Sequence, residues 1–181
     1  MLSRVSANQK MNASVVFMGV AGCGKSSLGA AVAHALGLPL VEGDDFHSPE
    51  SRAKMAQGIA LTDADRDGWL TRLGQELQHH LLVTSRGAVL TCSALKLGYR
   101  QRLRAAVPGL RFVFLDIGQA DARARVVARS AHFFSVSLMD SQFATLEVPT
   151  GEPGVLRVDA MAPLAQLQAQ VSTWLHTGDA A

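Results

Sequence analysis

The sequence predicts an α/β fold, a central five-stranded parallel sheet flanked by helices. Three observations carry that prediction: five short apolar runs, amphipathic helical stripes between them, and a glycine-rich loop pattern set between the first run and the first stripe. Strands that alternate with helices pair in parallel, because each crossover helix returns the chain to the end of the sheet from which it started. With 181 residues, 48% hydrophobic and 18% charged, the chain has the length and the apolar material for one core. That composition excludes a disordered or collagen-like chain.

Val15-Val16-Phe17-Met18 is the first strand, and Gly19 ends it. Leu28, Ala31, Val32, Ala35 and Leu36 then recur at the spacing of one helical face, and Gly37 and Pro39 stop that helix. Leu38-Pro39-Leu40-Val41 is the second strand. Glu42-Gly43-Asp44-Asp45 follows it, which places acids at the carboxyl end of a strand, where open parallel sheets bind ligands. Leu70, Leu73, Leu77 and Leu81 mark a long helix over 63–85, with Asp63 or Asp65 as its cap. Residues 88–92 form the third strand, 101–107 a helix, 112–115 the fourth strand, and 121–129 a helix capped by Asp121. Residues 155–158 form the fifth strand, and the last helix, over 164–175, has apolar positions at 164, 167, 171, 174 and 175. Residues 1–13 read as a flexible extension, with Met11 an alternative start to Met1, 14–176 as a single domain, and 177–181 as a tail.

Charge and cysteine usage narrow the function classes. The formal net charge is +2 and Lys and Arg are scattered, so no nucleic-acid footprint is expected. Cys23 and Cys92 are the only cysteines, which fits neither a disulfide framework nor a metal cluster and points to a reducing, cytoplasmic setting. No apolar run approaches the roughly 18–20 residues that cross a bilayer, and the N-terminus lacks the apolar stretch of a secretory signal.

Gly19-Val20-Ala21-Gly22-Cys23-Gly24-Lys25-Ser26 matches G-x-x-x-x-G-K-[ST] in full. Its glycines let the backbone curl so that successive N–H groups converge on phosphate oxygens, Lys25 neutralises β/γ charge, and Ser26 can ligate Mg²⁺. Chance would place the pattern in about one chain in a hundred of this length. Its position after a strand and before a helix is the context the mechanism needs, so residues 19–27, Ser27 included, are assigned to ATP. Ser27 also stands where a dinucleotide fingerprint opening at Gly22 needs its third glycine, which argues against hydride-transfer chemistry. For Cys23, a small side chain filling a loop position is a simpler reading than a redox thiol.

Asp44 and Asp45 face the same crevice on the expected sheet order, and an acid there can orient an acceptor hydroxyl or take its proton. A capping role competes for both. His47, three residues on, is either a base or an ordinary loop histidine. Arg125 and Arg129 are four apart on a predicted helix and share a face, so both can reach one anion. The stretch Ser130-Ala131-His132-Phe133-Phe134-Ser135 opens a lid spanning about 130–142 that would close over ATP. Lys54, Arg66, Lys96 and Arg100 are further cations near strand ends or helix starts. Trp69 reads as core, His79 and His80 lack the partners of a metal site, and the Asp63, Asp65, Asp67 alternation lacks the rest of a calcium loop.

Four stretches together resemble the gluconate kinase family of small P-loop kinases, related in fold to shikimate and adenylate kinases. They are Met18 to Ser26; Glu42-Gly43-Asp44-Asp45-Phe46-His47 with Lys54-Met55; Cys92-Ser93-Ala94-Leu95-Lys96 with Tyr99-Arg100; and His132-Phe133 with Ser141-Gln142-Phe143 and Leu146-Glu147. The resemblance implies a P-loop kinase fold, transfer of the ATP γ-phosphoryl group to the 6-hydroxyl of D-gluconate with Mg²⁺, and a homodimer. It implies Gly22, Gly24, Lys25 and Ser26 on ATP and Mg²⁺, Asp44 at the acceptor hydroxyl, and Arg125 and Arg129 on the phosphates. It also makes His47, Lys54, Arg66, Lys96, Arg100 and His132 candidates for the sugar acid. Ser51, Gly68, Ala21 and Cys23 depart from the family's usual Asn, Pro, Ser and Ser. Two alternatives stay open: a kinase for another small acceptor, such as shikimate, another sugar acid or a nucleoside monophosphate, and a nucleotide-binding regulatory protein without catalysis.

Overall fold

The computed structural model describes residues 13–129 and 135–177. Strands β1 (Val15–Met18), β2 (Leu40–Glu42), β3 (Val89–Thr91), β4 (Arg111–Asp116) and β5 (Val155–Asp159) form one sheet in the order β2-β3-β1-β4-β5. All pairings are parallel, with Val16 set between Leu90 of β3 and Phe112 of β4. The chain leaves β1 for the edge strand β2, returns to β3 beside β1, and then crosses to β4. The order therefore reverses at β1, which opens a crevice at the carboxyl ends beside the loop that follows it.

Both faces of the sheet are buried, and the two-residue period of the strands divides the core. Val15 and Phe17 of β1 pack with Val113 and Leu115 of β4 against α1 (Lys25–Leu36) and α7 (Leu164–Thr177), through Leu28, Val32, Leu167 and Val171. Val16 and Met18 pack with Phe112 and Phe114 against α3 (Asp63–Thr84) and α4 (Leu97–Ala106), through Leu73, Leu77 and Leu103. Continuous apolar runs on the strands and one-sided stripes on the helices are the sequence trace of this three-layer arrangement. Among the described residues, no helix is long and apolar enough to cross a membrane.

Two predicted caps are corrected. Thr62, not Asp63 or Asp65, caps α3: its hydroxyl accepts the Asp65 N–H at 3.2 Å, and the Asp65 carboxylate accepts the Thr62 N–H at 2.9 Å. Helix α5 (Gln119–Ala128) starts two residues earlier than expected, after Gly118, so Asp121 lies in its first turn instead of capping it. Two short helices escape sequence reading. Helix α2 (Pro49–Ala56) buries only Ser51, although Ser48 caps it and Pro49 opens it. Helix α6 (Val136–Thr145) buries only Leu138 and Met139 and is capped by Ser135. Of the expected lid over 130–142, residues 130–134 lie outside the described residues, and 136–142 belong to α6.

Candidate active site

The loop between β1 and α1 is shaped by backbone that only glycine adopts easily. Gly22 has φ of 81° and would bring a Cβ to 2.8 Å from the Ala122 carbonyl oxygen, and Gly24 turns the chain into α1 with φ of 100°. Because α1 starts at Lys25, its unpaired N–H groups border the loop's hollow. Lys25 Nζ bridges the loop, donating to the carbonyls of Gly19 and Val20 at 3.0 Å each. The Val20 and Cys23 side chains are buried, so these two positions contribute backbone. Burial also pushes the Cys92 thiol up to about 12.

Ser26 Oγ donates to Glu42 at 3.0 Å, and the same carboxylate oxygen accepts from Thr91 Oγ1. Glu42 ends β2 and Thr91 ends β3, so sheet pairing brings the acid to the serine. Sequence reading names Glu42 within the acidic run but gives it no role, because its side-chain direction depends on that pairing. A serine hydroxyl backed by a carboxylate is a hard oxygen pair that suits Mg²⁺.

Asp44 sits in a single 3-10 turn, Gly43–Phe46, with its side chain 87% exposed. That turn is fixed from below. Trp69 Nε1 donates to the Gly43 carbonyl at 2.8 Å, so the tryptophan positions the acids as well as packing in the core. His47 stacks on the Trp69 ring at 4.3 Å with an interplanar angle of 15°, and its Nε2 lies 3.8 Å from Asp44 Oδ1. Burial lowers the His47 pKa, and Nδ1 is enclosed without a hydrogen-bond partner. Asp45 is exposed.

Three cavities adjoin one another, two of them at the loop. The first, about 370 Å³, is lined by Lys25, Ser26, Asp44, His47, Arg66 and Arg129. A second, about 210 Å³, includes Asp63, Lys96 and Tyr99, and shares Leu61, Arg66 and Gln142 with the first. A third, about 420 Å³ and mostly apolar, lies on the other side of the loop against Ser27, Leu115, Arg125 and Leu164, and shares Gly24 and Arg129 with the first.

The expected cations separate. Arg129 borders the first and third cavities, whereas Arg125 borders only the third and donates to the carbonyls of Cys23 and Ala160. Arg66 lies at the seam of the first two, over the Tyr99 ring at 5.7 Å, with Nε buried and no hydrogen-bond partner. Lys96 borders the second cavity but is paired with Asp63 at 2.8 Å, which with Tyr99 lowers the Asp63 pKa. Lys54 lines none of the three and binds Asp65 at 2.7 Å. Arg100 is the clear correction: it is buried, ion-paired with Glu152, and bonded to the carbonyls of Ala94, Leu95 and Glu147, so it holds a loop and reaches no cavity. His132 lies outside the described residues.

A phosphate loop at the switch point of a parallel sheet, acids ending β2, and Arg125 of α5 with Arg129 at its C-terminal end beside the loop define a P-loop kinase. An APS kinase structure from Mycobacterium tuberculosis shares the fold, with a TM-score of 0.62 at 21% identity over 91% of this chain and 98% of that one. A gluconokinase of Gluconobacter oxydans (strain 621H) is 42% identical over 144 residues, 80% of each chain. A gluconokinase structure from Sinorhizobium meliloti 1021 matches with a TM-score of 0.82 at 42% identity, covering 93% of this chain and 94% of that one. The chain belongs to the gluconokinase family and is a phosphotransferase. No family model matches it.

Proposed function

We propose that the protein transfers the terminal phosphoryl group of ATP to the 6-hydroxyl of D-gluconate, giving 6-phospho-D-gluconate and ADP. The observation that carries this reading is one cavity bordered by Lys25 and Ser26 on one side, Asp44 on another, and at its far seam Arg66, whose buried Nε has no hydrogen-bond partner. Loop N–H groups, Lys25 and the start of α1 bind the phosphates, and the apolar third cavity, walled by Arg125, takes the base. Mg²⁺ would be held by Ser26 with Glu42 behind it, and when bound it neutralises charge between the β- and γ-phosphates.

Asp44 takes the proton of the acceptor hydroxyl as its oxygen bonds to phosphorus and the bond to the ADP oxygen breaks. His47 stays largely neutral because burial disfavours its charge, and it stacks on Trp69 beside Asp44. Arg129 meets the charge on the transferring group. The carboxylate of the sugar acid goes to Arg66, since Lys96 and Lys54 are paired with acids and Arg100 is enclosed. A homodimer in the cytoplasm belongs to the same reading, supported on the compartment by two buried cysteines that form no disulfide.

ADP release from Mg·ATP, run with D-gluconate beside shikimate, other sugar acids and AMP, tests the proposal. Release with D-gluconate alone is expected. Preference for another acceptor overturns the substrate assignment, and ATP binding without acceptor-dependent release overturns the catalytic one.

A further inference from the structure

We infer that Gln142 is a positioning residue which reports the terminal phosphoryl group to the acceptor side of the site, exchanging its side-chain oxygen for its side-chain NH₂ when that group arrives. The inference rests on the ATP-dependent transfer proposed above. Gln142 Oε1 accepts the Ala21 N–H at 2.6 Å, across 121 residues of sequence. The orientation of the amide is forced, since a backbone N–H can only donate and therefore meets the oxygen end. Ala21 is one of the loop residues whose N–H groups serve phosphate, so Gln142 occupies a donor that a nucleotide needs.

Position decides which phosphate is read. Ala21 and Gln142 border the cavity that holds Asp44, whereas neither borders the apolar cavity assigned to the base. The Ala21 N–H thus lies on the acceptor side of the loop, where the transferring group must sit. Gln142 also borders the second cavity, so one side chain touches both the phosphoryl and the sugar-acid spaces. The backbone beneath it is held: Leu138 and Met139 are buried, and Asp140 accepts from Gln119 Nε2 at 2.8 Å. Among the described residues, Gln142 Nε2 has no protein acceptor.

A phosphoryl oxygen beside Oε1 sets acceptor against acceptor. Turning the terminal amide, a broad and soft torsion, removes that conflict and supplies two donors. The phosphoryl group then takes the Ala21 N–H, and Gln142 Nε2 donates to it or to an acceptor oxygen next to it. A diphosphate does not reach this donor and leaves the Gln142 contact in place.

The test is calorimetric binding of a non-hydrolysable ATP analogue and of ADP, each with Mg²⁺, to wild type, Gln142→Glu and Gln142→Met. Glutamate keeps the acceptor and removes the donor, while methionine removes both. Gln142→Glu is expected to lose about tenfold or more in affinity for the triphosphate analogue, the loss of a hydrogen bond to a charged group. ADP should change by about twofold or less, within the weight of a neutral contact. Gln142→Met should shift in the same sense, and it decides the matter if Gln142→Glu fails to fold. Turnover number should fall further than the acceptor KM rises. An unchanged ratio of triphosphate to diphosphate affinity in the folded variants, or equal loss of both nucleotides, overturns the inference. Failure of wild type to bind either nucleotide overturns the ATP reading instead.

Discussion

At the scale of single residues, the site separates groups that neutralise charge from groups that move a proton. Among the described residues no Lys or Arg lies within ion-pairing distance of Asp44, so its exposed carboxylate is available to an acceptor hydroxyl. Asp44→Asn should lower turnover by about 10²- to 10⁴-fold, the range of a lost general base, while ATP affinity holds. Steady-state rates alongside nucleotide titration check this, and unchanged turnover would make Asp44 structural. Arg66 makes a different prediction because it meets the acceptor's charge and not its reacting atom. Arg66→Gln should raise the D-gluconate KM by about ten- to a hundredfold, the weight of a charge-assisted hydrogen bond, with little change in the ATP KM. An effect on ATP instead would place Arg66 with the phosphates. Lys54, Arg66, Lys96 and Arg100 look alike in sequence, but acid partners that depend on the fold leave only Arg66 uncommitted.

Among the elements, α3 both lines the site, through Asp63 and Arg66, and braces it. Its N-terminus places Asp63 beside Lys96 and Asp65 beside Lys54, and its second turn carries Trp69 under the Asp44 turn. The Thr62 and Asp65 capping box sets where that helix starts. Thr62→Ala should cost about 1 kcal/mol of stability through loss of the cap. Denaturant unfolding measures it, and a loss confined to activity would show that the cap aligns the site without stabilising the fold. Helices with an apolar stripe were legible in sequence, as α1, α3 and α7 show. By contrast, α2 buries a single polar residue, Ser51, and α6 is a ten-residue helix whose apolar positions packed on the core, Met139 and Phe143, are too few to mark it. Gln142 rides on α6, which is why its contact with the loop has no local signal.

The whole molecule couples folding to pH through the buried histidine of the site. Burial lowers the His47 pKa in the folded state below its ordinary 6.5, so below about 6.5 the unfolded chain binds the proton more readily. Stability should therefore fall as pH drops from about 6.5 toward the folded-state value, and His47→Gln should flatten that slope. Urea midpoints at a series of pH values test it, and an unaltered slope in the variant would remove His47 as the cause. Asp65 acts lower down: hydrogen bonds from Lys54 and Thr62 hold it at about 2, so its stabilisation is present above 3.8 and fades as pH falls from there toward about 2. Sequence alone determined the parallel α/β fold, the phosphate loop and the acids after β2, because strand period, helix period and glycine spacing are local properties of the chain. Only the tertiary structure decided that Glu42 backs Ser26, that Arg100 is spent on Glu152, that Arg66 lies over Tyr99 at the seam, and that Gln142 holds the loop. Each of those depends on which side chains β-strand pairing and helix packing bring within about 3 Å, a hydrogen-bond distance that sequence separation does not encode.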